Sequence, residues 1–254
     1  MADKQQPVTN ICGYDADNIM IRNKNLVSDL IGKVSFTEMM LLQSLGEMPA
    51  QSRIRIIDAV MVTIMEHGLV PSAISTRLTY YGAPESFQGA VVAGLLGVGD
   101  RYAGTAGECG EILERLVNTP AEERESAALE EVRDYRRRRR PVPGFGHPIH
   151  QSHDPRVPRL LEVANEAGIK GDYVSAMQLL ESTLNKELGK TLVTNISAAI
   201  AAVLGEAGIP AKMMRGIVLT ARCAGLVGHL FEEMNHPVAH NMWEAAQSEV
   251  NYIP

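Results

Sequence analysis

Residues 196–204 read Ile-Ser-Ala-Ala-Ile-Ala-Ala-Val-Leu, a stretch with almost no polar face. A helix of this composition must be buried on all sides, either inside a core or between subunits. Residues 213–231 are similar, since glycines and alanines alternate there with larger apolar residues. Arg222 lies within this second run. Because a buried guanidinium is costly unless it is paired, we expect Arg222 to need an anionic partner from the protein or from a ligand.

The remainder of the chain is also dominated by helical periodicity. In residues 54–65, apolar side chains recur at intervals of three and four, which predicts a helix with a broad apolar face. Strand signals are weak, because aromatic residues make up only 5% and no alternating β-branched runs stand between turns. The sequence therefore predicts an all-α protein. Further helices fit residues 35–45, 85–98, 106–117, 121–139, 157–167, 172–188, 196–207 and 211–233.

Composition narrows the class of protein. A chain of 254 residues can bury a full core as one large domain or two unequal ones. The formal charge of −6 argues against a nucleic-acid partner. No apolar run approaches the ~20 residues of a membrane helix, and the first residues lack the apolar core of a signal peptide. We therefore expect a cytoplasmic protein with no membrane partner. The three cysteines are far apart and predict neither disulfides nor a CxxC metal site.

Residues 143–156 read Pro-Gly-Phe-Gly-His-Pro-Ile-His-Gln-Ser-His-Asp-Pro-Arg and carry most of the chemistry. Glycine and proline prevent this stretch from forming a regular helix. A constrained loop with a group that titrates near neutrality suits a site that positions an imidazole against a substrate. The alternative is a turn-rich loop that contains histidines by chance.

A metal site in the same loop is a further alternative. His147, His150, His153 and Asp154 have side chains that bind zinc. However, Pro148 breaks helical geometry at the first ligand, and an even spacing of three is not a known zinc pattern. The residues therefore favour a site without metal, and a metal-dependent hydrolase is the weaker reading.

Five consecutive arginines, Arg136–Arg140, directly precede this loop. They follow an acidic segment, so they could form the solvated basic end of a helix, where they would complement the helix dipole. They could equally anchor the phosphates of a small ligand. Nothing else in the sequence extends the basic surface in the way that DNA binding requires.

Several segments together resemble the citrate synthase superfamily, in particular its short branch of citryl-CoA lyases and the C-terminal module of ATP-citrate lyase. They occur in the family's order and spacing, and the resemblance covers roughly residues 11–252. Besides the glycine–histidine loop, the matching segments are Met65-Glu-His67-Gly68 with Pro71-Ser72-Ala73, Leu96-Gly97-Val98-Gly99-Asp100-Arg101-Tyr102, Thr194-Asn195-Ile196, and Arg222-Cys-Ala-Gly-Leu-Val-Gly-His229.

The resemblance implies an all-α homodimer or higher homo-oligomer, with a large domain that contains a smaller inserted helical domain. The large domain would comprise residues 1–108 and 200–254, and the small domain residues 109–199. The active site would lie in the cleft between them, and closure would exclude water. The substrate would be a coenzyme A thioester together with a carboxylate, and no metal or tightly bound cofactor would be required.

The resemblance also assigns roles to residues of this chain. His67 and His147 fall on catalytic histidines, and Arg156 and Arg222 on arginines that bind substrate carboxylates through their bidentate guanidinium groups. Asn195 belongs to the substrate-binding set. The residues that would contact coenzyme A are Val142, Gly144, Phe145, Gly146 and Arg140.

Ser197 is a departure from the family pattern, because the family's catalytic aspartate occupies this position. A serine hydroxyl stays protonated at neutral pH and cannot act as a general base without an activator. Asp100 is a carboxylate on a matching segment, but a role as base is conjecture. Two smaller departures are Pro148 after the histidine and the histidines of His236-Pro237-Val238-Ala239-His240, where relatives often have arginine.

The sequence thus predicts a carbon–carbon lyase of reversible aldol or Claisen type. It would cleave a citryl-CoA-like 3-hydroxyacyl-CoA into acetyl-CoA and a 2-oxo acid such as oxaloacetate. The alternative is a catalytically altered or inactive homologue that binds coenzyme A esters, and Ser197 supports it.

Overall fold

The computed structural model describes residues 6–100, 105–146, 150, 152–169 and 171–253. The described chain is mainly helical, so the predicted all-α class is confirmed. One small sheet comprises β1 (Cys12–Tyr14), β2 (Ile19–Ile21) and β3 (Lys24–Asn25). The helices are α1 (Phe36–Leu45), α2 (Gln51–Met65), α3 (Pro71–Gly82), α4 (Phe87–Leu96), α5 (Thr105–Asn118), α6 (Arg124–Arg137), α7 (Arg156–Glu166), α8 (Asp172–Leu188), α9 (Ile196–Glu206), α10 (Ala211–Asn235) and α11 (Ala239–Glu249).

The chain divides into two compact units, Met1–Asp58 and Ala59–Pro254. The domain boundaries implied by the family resemblance, at residues 108/109 and 199/200, stay a prediction.

The first unit contains the sheet, which the sequence did not predict. β2 and β3 form an antiparallel hairpin whose two turn residues, Arg22 (φ 47°) and Asn23 (φ 64°), both have left-handed conformations. Positive φ at both central residues matches the right-handed twist of a hairpin, and asparagine tolerates it well. Ile21, Leu30 and Leu42 form a small apolar cluster in this unit.

In the second unit, α9 is the central helix. Every residue from Ile196 to Gly205 is buried, which confirms the prediction for this apolar stretch. α9 packs against α5, α7, α8 and α10. The small residues allow this because Gly205 lies directly under the ring of Tyr173, where a methyl group would clash.

α10 is the longest helix and packs against α3, α4, α5 and α9. Its buried side chains include Met214, Ile217 and Leu230, together with two charged residues, Arg222 and Glu233. Among the described residues, no single helix is long and apolar enough to cross a membrane. The pair α9 and α10, bent by 120°, meets the length and composition criteria only when both helices are taken together.

Two helices were missing from the sequence prediction, α3 and α11. α3 begins at Pro71, which suits the first helical position because that residue has no helical partner for an N–H. Other helices differ from prediction mainly at their ends. The segment predicted as one helix over 121–139 begins instead with a 3₁₀ turn, Ala121–Glu123, and α6 follows it.

Candidate functional site

The second unit contains a cavity of about 370 Å³. Every predicted site residue that the structure describes lines it, although these residues come from four separate parts of the sequence. His147, the second predicted catalytic histidine, lies outside the described residues. The predicted residues in the lining are His67, Arg140, Val142, Gly144, Phe145, Gly146, Arg156, Asn195, Ser197 and Arg222.

The loop that precedes His147 is fixed to the segment before α9. Asn195 N–H donates to Gly144 O (3.0 Å), and Gly146 N–H donates to Val193 O (2.7 Å). The Asn195 side chain adds a bond from Nδ2 to Gly146 O (2.8 Å). Gly144 has φ +91°, and a Cβ there would lie 2.7 Å from Ala198 Cβ. Only glycine permits this approach, so the predicted coenzyme A loop and the start of α9 form one rigid wall.

Ser197 lies in the first turn of α9, which Asn195 caps. Asn195 Oδ1 accepts a hydrogen bond from Ser197 N–H (2.9 Å). The hydroxyls of Thr105 and Ser197 are hydrogen-bonded to each other (2.8 Å), and both residues line the cavity. Either hydroxyl can donate in this pair, and when Thr105 donates, Ser197 Oγ keeps its own hydrogen for a ligand.

Arg156 is held by Asp154, whose side chain is completely buried (0% exposed). Arg156 Nε and Nη2 donate to the two oxygens of Asp154 at 2.9 and 2.8 Å. Asp154 Oδ2 also accepts from Ile196 N–H (3.0 Å), at the start of α9. Burial raises the pKa of Asp154, but the hydrogen bonds from Arg156 and Ile196 outweigh it and lower the pKa. Asp154 is thus an ionised anchor, and both its oxygens are already engaged by N–H donors.

Arg222 has a buried guanidinium group whose charge is only partly balanced by the protein. It is 5% exposed, and Nη1 has no hydrogen-bond partner. The carboxylate of Glu66 approaches Nη1 only to 3.9 Å. Burial lowers the pKa of Arg222; Glu66 opposes that effect and the positive charge of Arg156 adds to it. The expectation that Arg222 needs an anion is therefore met only in part by the protein, and the rest points to a ligand carboxylate.

His67 lines the cavity and lies beside His150, which the sequence analysis considered only as a metal ligand. The ring of His150 contacts it edge to face, with centroids 5.8 Å apart. His67 N–H donates to Glu66 Oε1 (2.7 Å). Burial raises the pKa of Glu66, but hydrogen bonds from the backbone N–H of His67 and from His229 lower it overall. Glu66 is therefore charged at neutral pH and faces both His67 and Arg222.

Of the four residues of the metal-site alternative, the structure describes His150, His153 and Asp154, while His147 lies outside the described residues. His150 lies against His67, whereas His153 is exposed and its Nδ1 lies 3.3 Å from Ser152 Oγ. Asp154 is saturated by N–H donors, as described above. Within the described part of the chain, no cluster of three or more His, Cys, Asp or Glu residues has the arrangement of a metal site.

The arginine run divides between its two interpretations. Arg136, Arg137 and Arg138 pair with carboxylates on the protein surface, as expected for a solvated helix end. Arg140 lines the cavity and donates through Nη2 to Glu108 Oε1 (2.9 Å). It remains half-exposed and can reach a phosphate from this position. Asp100, the conjectured base, also lines the cavity, but it is exposed and paired with Arg215 at 2.7 Å.

The arrangement can therefore bind a small polycarboxylate next to an extended apolar chain. Two guanidinium groups, an imidazole, two hydroxyl-bearing side chains and a glycine loop are all part of its lining. Sequence reasoning missed the roles of Glu66, Thr105 and Glu108, because a carboxylate or hydroxyl that supports a neighbour has no spacing signal of its own. Asp154 was considered only as a metal ligand.

Comparison with known proteins gives consistent results. A citryl-CoA lyase from Hydrogenobacter thermophilus has a TM-score of 0.84 and 26% identity, over 98% of this chain and 95% of that chain. An ATP citrate lyase variant from Methanosaeta concilii, solved with (3S)-citryl-CoA, shares the fold with a TM-score of 0.77 and 17% identity; 100% of this chain and 42% of that chain are covered.

ATP-citrate synthase beta chain protein 1 of Oryza sativa subsp. japonica is 25% identical over 207 residues, which is 74% of this chain. This chain spans only 33% of the length of that relative. Residues 9–242 match the family described as citrate synthase, C-terminal domain. Since this match includes nearly the whole sequence, the chain belongs to the citrate synthase C-terminal domain family.

Proposed function

We propose that this protein is a carbon–carbon lyase that cleaves a citryl-CoA-type 3-hydroxyacyl-CoA into acetyl-CoA and a 2-oxo acid such as oxaloacetate. The observation that carries the proposal is that Arg222, whose buried Nη1 has no hydrogen-bond partner, lines one cavity together with His67 and Arg156. The similarity to a citryl-CoA lyase over almost the full length of both chains supports it.

In this proposal, Arg222 and Arg156 bind the carboxylates of the substrate, and charge-assisted bidentate contacts fix its orientation. His67 holds the carbinol oxygen. His147 accepts the proton of the hydroxyl, the bond between the carbinol carbon and the thioester α-carbon breaks, and its electron pair enters the thioester as an enolate. The carbinol becomes the ketone of the 2-oxo acid. The imidazolium of His147 then returns the proton to the enolate carbon, which gives acetyl-CoA.

Ser197 takes a different role from the family aspartate. Its hydroxyl receives a hydrogen from Thr105 and can donate its own to the enolate oxygen. A donor aimed at developing negative charge stabilises the transition state without acting as a base. Residues 142–146 contact the coenzyme A chain, and Arg140 contacts a phosphate.

The direct test is incubation of the purified protein with citryl-CoA or citramalyl-CoA, with release of acetyl-CoA followed over time. We expect release from at least one of these esters. A folded protein that releases no acetyl-CoA from any hydroxyacyl-CoA would contradict the proposal.

The competing function is a homologue that binds coenzyme A esters but has altered or lost chemistry. The Ser197→Asp variant separates the two, because it restores the family carboxylate. If serine serves the native reaction, this variant loses the wild-type turnover, since a carboxylate repels the enolate and replaces a donor. A large gain in citryl-CoA cleavage instead would mean that the wild-type chain has lost the activity. Ser197→Ala is the matched control, because it removes the hydroxyl without adding charge.

Replacement of His147 is expected to be far more costly than replacement of His153. The family resemblance implies that His147 acts at the reacting oxygen, and one general acid–base group contributes roughly 10²–10⁴ in rate. His153 is exposed, so His153→Ala is the control for the same loop. We expect His150→Ala to fall between them because His150 contacts His67. Steady-state kinetics of the three variants check this, and equal losses for His147→Ala and His153→Ala would refute it.

We also propose that the chain forms a homodimer. Apolar side chains on α4 and α10 are exposed in the single chain and recur at helical spacing on each helix, so a second copy would bury them. They are Val92 and Leu96 on α4, and Val227, Phe231 and Met234 on α10.

A further inference from the structure

A chain of polar contacts between α3 and α10 has no role in the proposed chemistry. Its centre is Arg77 on α3, which is only 1% exposed. Arg77 Nη1 donates to Glu233 Oε2 (2.7 Å), and Nη2 donates to Glu232. Nε donates to His229 Nδ1 (3.0 Å). A buried guanidinium with this many partners is costly to build, so we asked what it positions.

These contacts determine the tautomer of His229. A guanidinium N–H can only donate, and both Nε and Nη2 of Arg77 lie within 3.0 Å of Nδ1. His229 Nδ1 must therefore be the unprotonated, accepting nitrogen, and the ring proton must lie on Nε2. Nε2 is buried and lies 2.9 Å from Glu66 Oε2, although it has no well-aligned hydrogen bond. The carboxylate of Glu66 thus lies at ion-pair distance from the nitrogen that carries the proton.

Glu66 connects His229 to the cavity. Its Oε2 faces His229, while its Oε1 accepts the N–H of His67 and lies 3.9 Å from Arg222 Nη1. One carboxylate therefore holds the backbone of the candidate catalytic histidine and lies beside the candidate carboxylate-binding arginine. Rotation of the Glu66 side chain would disturb both.

Glu233 gives the chain of contacts a fixed support. Its Oε1 accepts the backbone N–H groups of Val238 and Ala239 at the start of α11, while Oε2 accepts from Arg77. Arg77 is therefore fastened to α10 and α11 at once. Arg77 and Glu233 are therefore held in place, and the position of Arg77 determines how the ring of His229 faces Glu66.

We propose that Arg77, His229 and Glu66 form a positioning relay that orients His67 and Arg222 for binding of the substrate carboxylates. None of the three needs to touch the substrate. The effect on substrate rests on the proposed function, whereas the relay itself can be tested without it.

The relay predicts a definite tautomer for His229. In ¹⁵N NMR spectra of protein labelled at histidine, with the His229 signals assigned by their loss in His229→Gln, we expect a protonated Nε2 and an unprotonated Nδ1. Arg77→Met should abolish the preference, because Nδ1 then loses its donors. A protonated Nδ1 in the wild-type chain would overturn the relay whether or not the protein cleaves citryl-CoA.

Two matched substitutions test the effect on the cavity. In His229→Gln, the amide nitrogen can occupy the place of Nε2 and donate to Glu66. In His229→Asn, the shorter side chain can accept from Arg77 but cannot reach Glu66. We expect His229→Asn to bind citrate or oxaloacetate about ten-fold more weakly than His229→Gln, since hydrogen bonds to charged groups are the strong ones.

Calorimetric titration measures this affinity, and thermal unfolding of both variants shows whether they are equally folded. In steady-state kinetics, we expect His229→Asn to have a higher KM than His229→Gln, with little change in kcat. Equal affinities of the two variants at equal stability would refute the positioning role. A wild-type chain that binds neither carboxylate would overturn the proposed function and the substrate effect together, while the tautomer decides the relay separately.

Discussion

Arg222→Met is expected to abolish turnover and at the same time to make the protein more stable. The wild-type guanidinium is buried, its pKa is lowered by burial, and Nη1 lacks a hydrogen-bond partner. Replacing such a charge with an apolar side chain of similar length removes a desolvation cost. The same substitution removes the group that would bind a substrate carboxylate. Function and stability should therefore change in opposite directions.

The expected loss in kcat/KM is about 10²–10³-fold, because loss of one partner of a desolvated charge pair costs about 2–5 kcal/mol. A gain of about 1 kcal/mol in stability would raise Tm by roughly 2–4 °C in a chain of this size. Calorimetry and kinetics on the same preparation measure both effects. Lys212→Met is the matched control, since Lys212 is exposed on the same helix and should change neither quantity much. A lowered Tm with turnover retained would contradict the assignment of Arg222 as an unmet cation.

Asp154→Asn is expected to cause the largest loss of stability, about 3 kcal/mol at pH 7, because it leaves the partner of a buried ion pair uncompensated. In the wild-type protein, Asp154 anchors Arg156 and the N-terminus of α9. Turnover should fall as well, because Arg156 would lose its fixed orientation. Chemical denaturation at several pH values measures the stability, and kinetics measure the turnover.

The sign of the pH dependence follows from the lowered pKa of Asp154. Its stabilisation is fully present above the ordinary value of 3.8 and is lost as the pH falls through the lower value in the folded state. The gap between wild-type and Asp154→Asn should therefore be constant near neutrality and should shrink in strong acid. Asp100→Asn is the control, because both Asp100 and its partner Arg215 are exposed and such pairs contribute less than about 1 kcal/mol. A gap that widens in acid would refute the assignment.

Most of the helices could be predicted from the sequence, including the polar α6, but α3 and α11 could not. Residues 196–204 have no polar face, and a helix without a polar face must be buried in a core or an interface. α3 was missed because Ser72, Thr76 and Arg77 are buried on it, so its inward face does not look apolar. The hairpin was missed because its turn is Arg22-Asn23, which lacks the glycine that usually marks left-handed turn residues.

The cavity residues could be predicted because the family resemblance supplied them as a set. The sequence alone marks Arg222 as unusual, since a cation inside an apolar helix needs an explanation. It also marks His229 as a polar residue in the same apolar run, but it does not show what His229 contacts, and it does not mark Glu66. The roles of both depend on contacts between residues more than 150 positions apart, such as Arg77 with His229. Supporting contacts of this kind arise only when the helices pack together.

The close fit between Gly144 and Ala198 has a consequence for how sequences with this cavity can diverge. A methyl group on Gly144 would lie 2.7 Å from Ala198 Cβ, so each position limits the other. Among relatives that keep this geometry, we expect small residues at both positions, and a larger residue at one position only where the residue at the other is smaller. A chimera that combined the loop of one homologue with the helix of another would be viable only if both donors respected that limit.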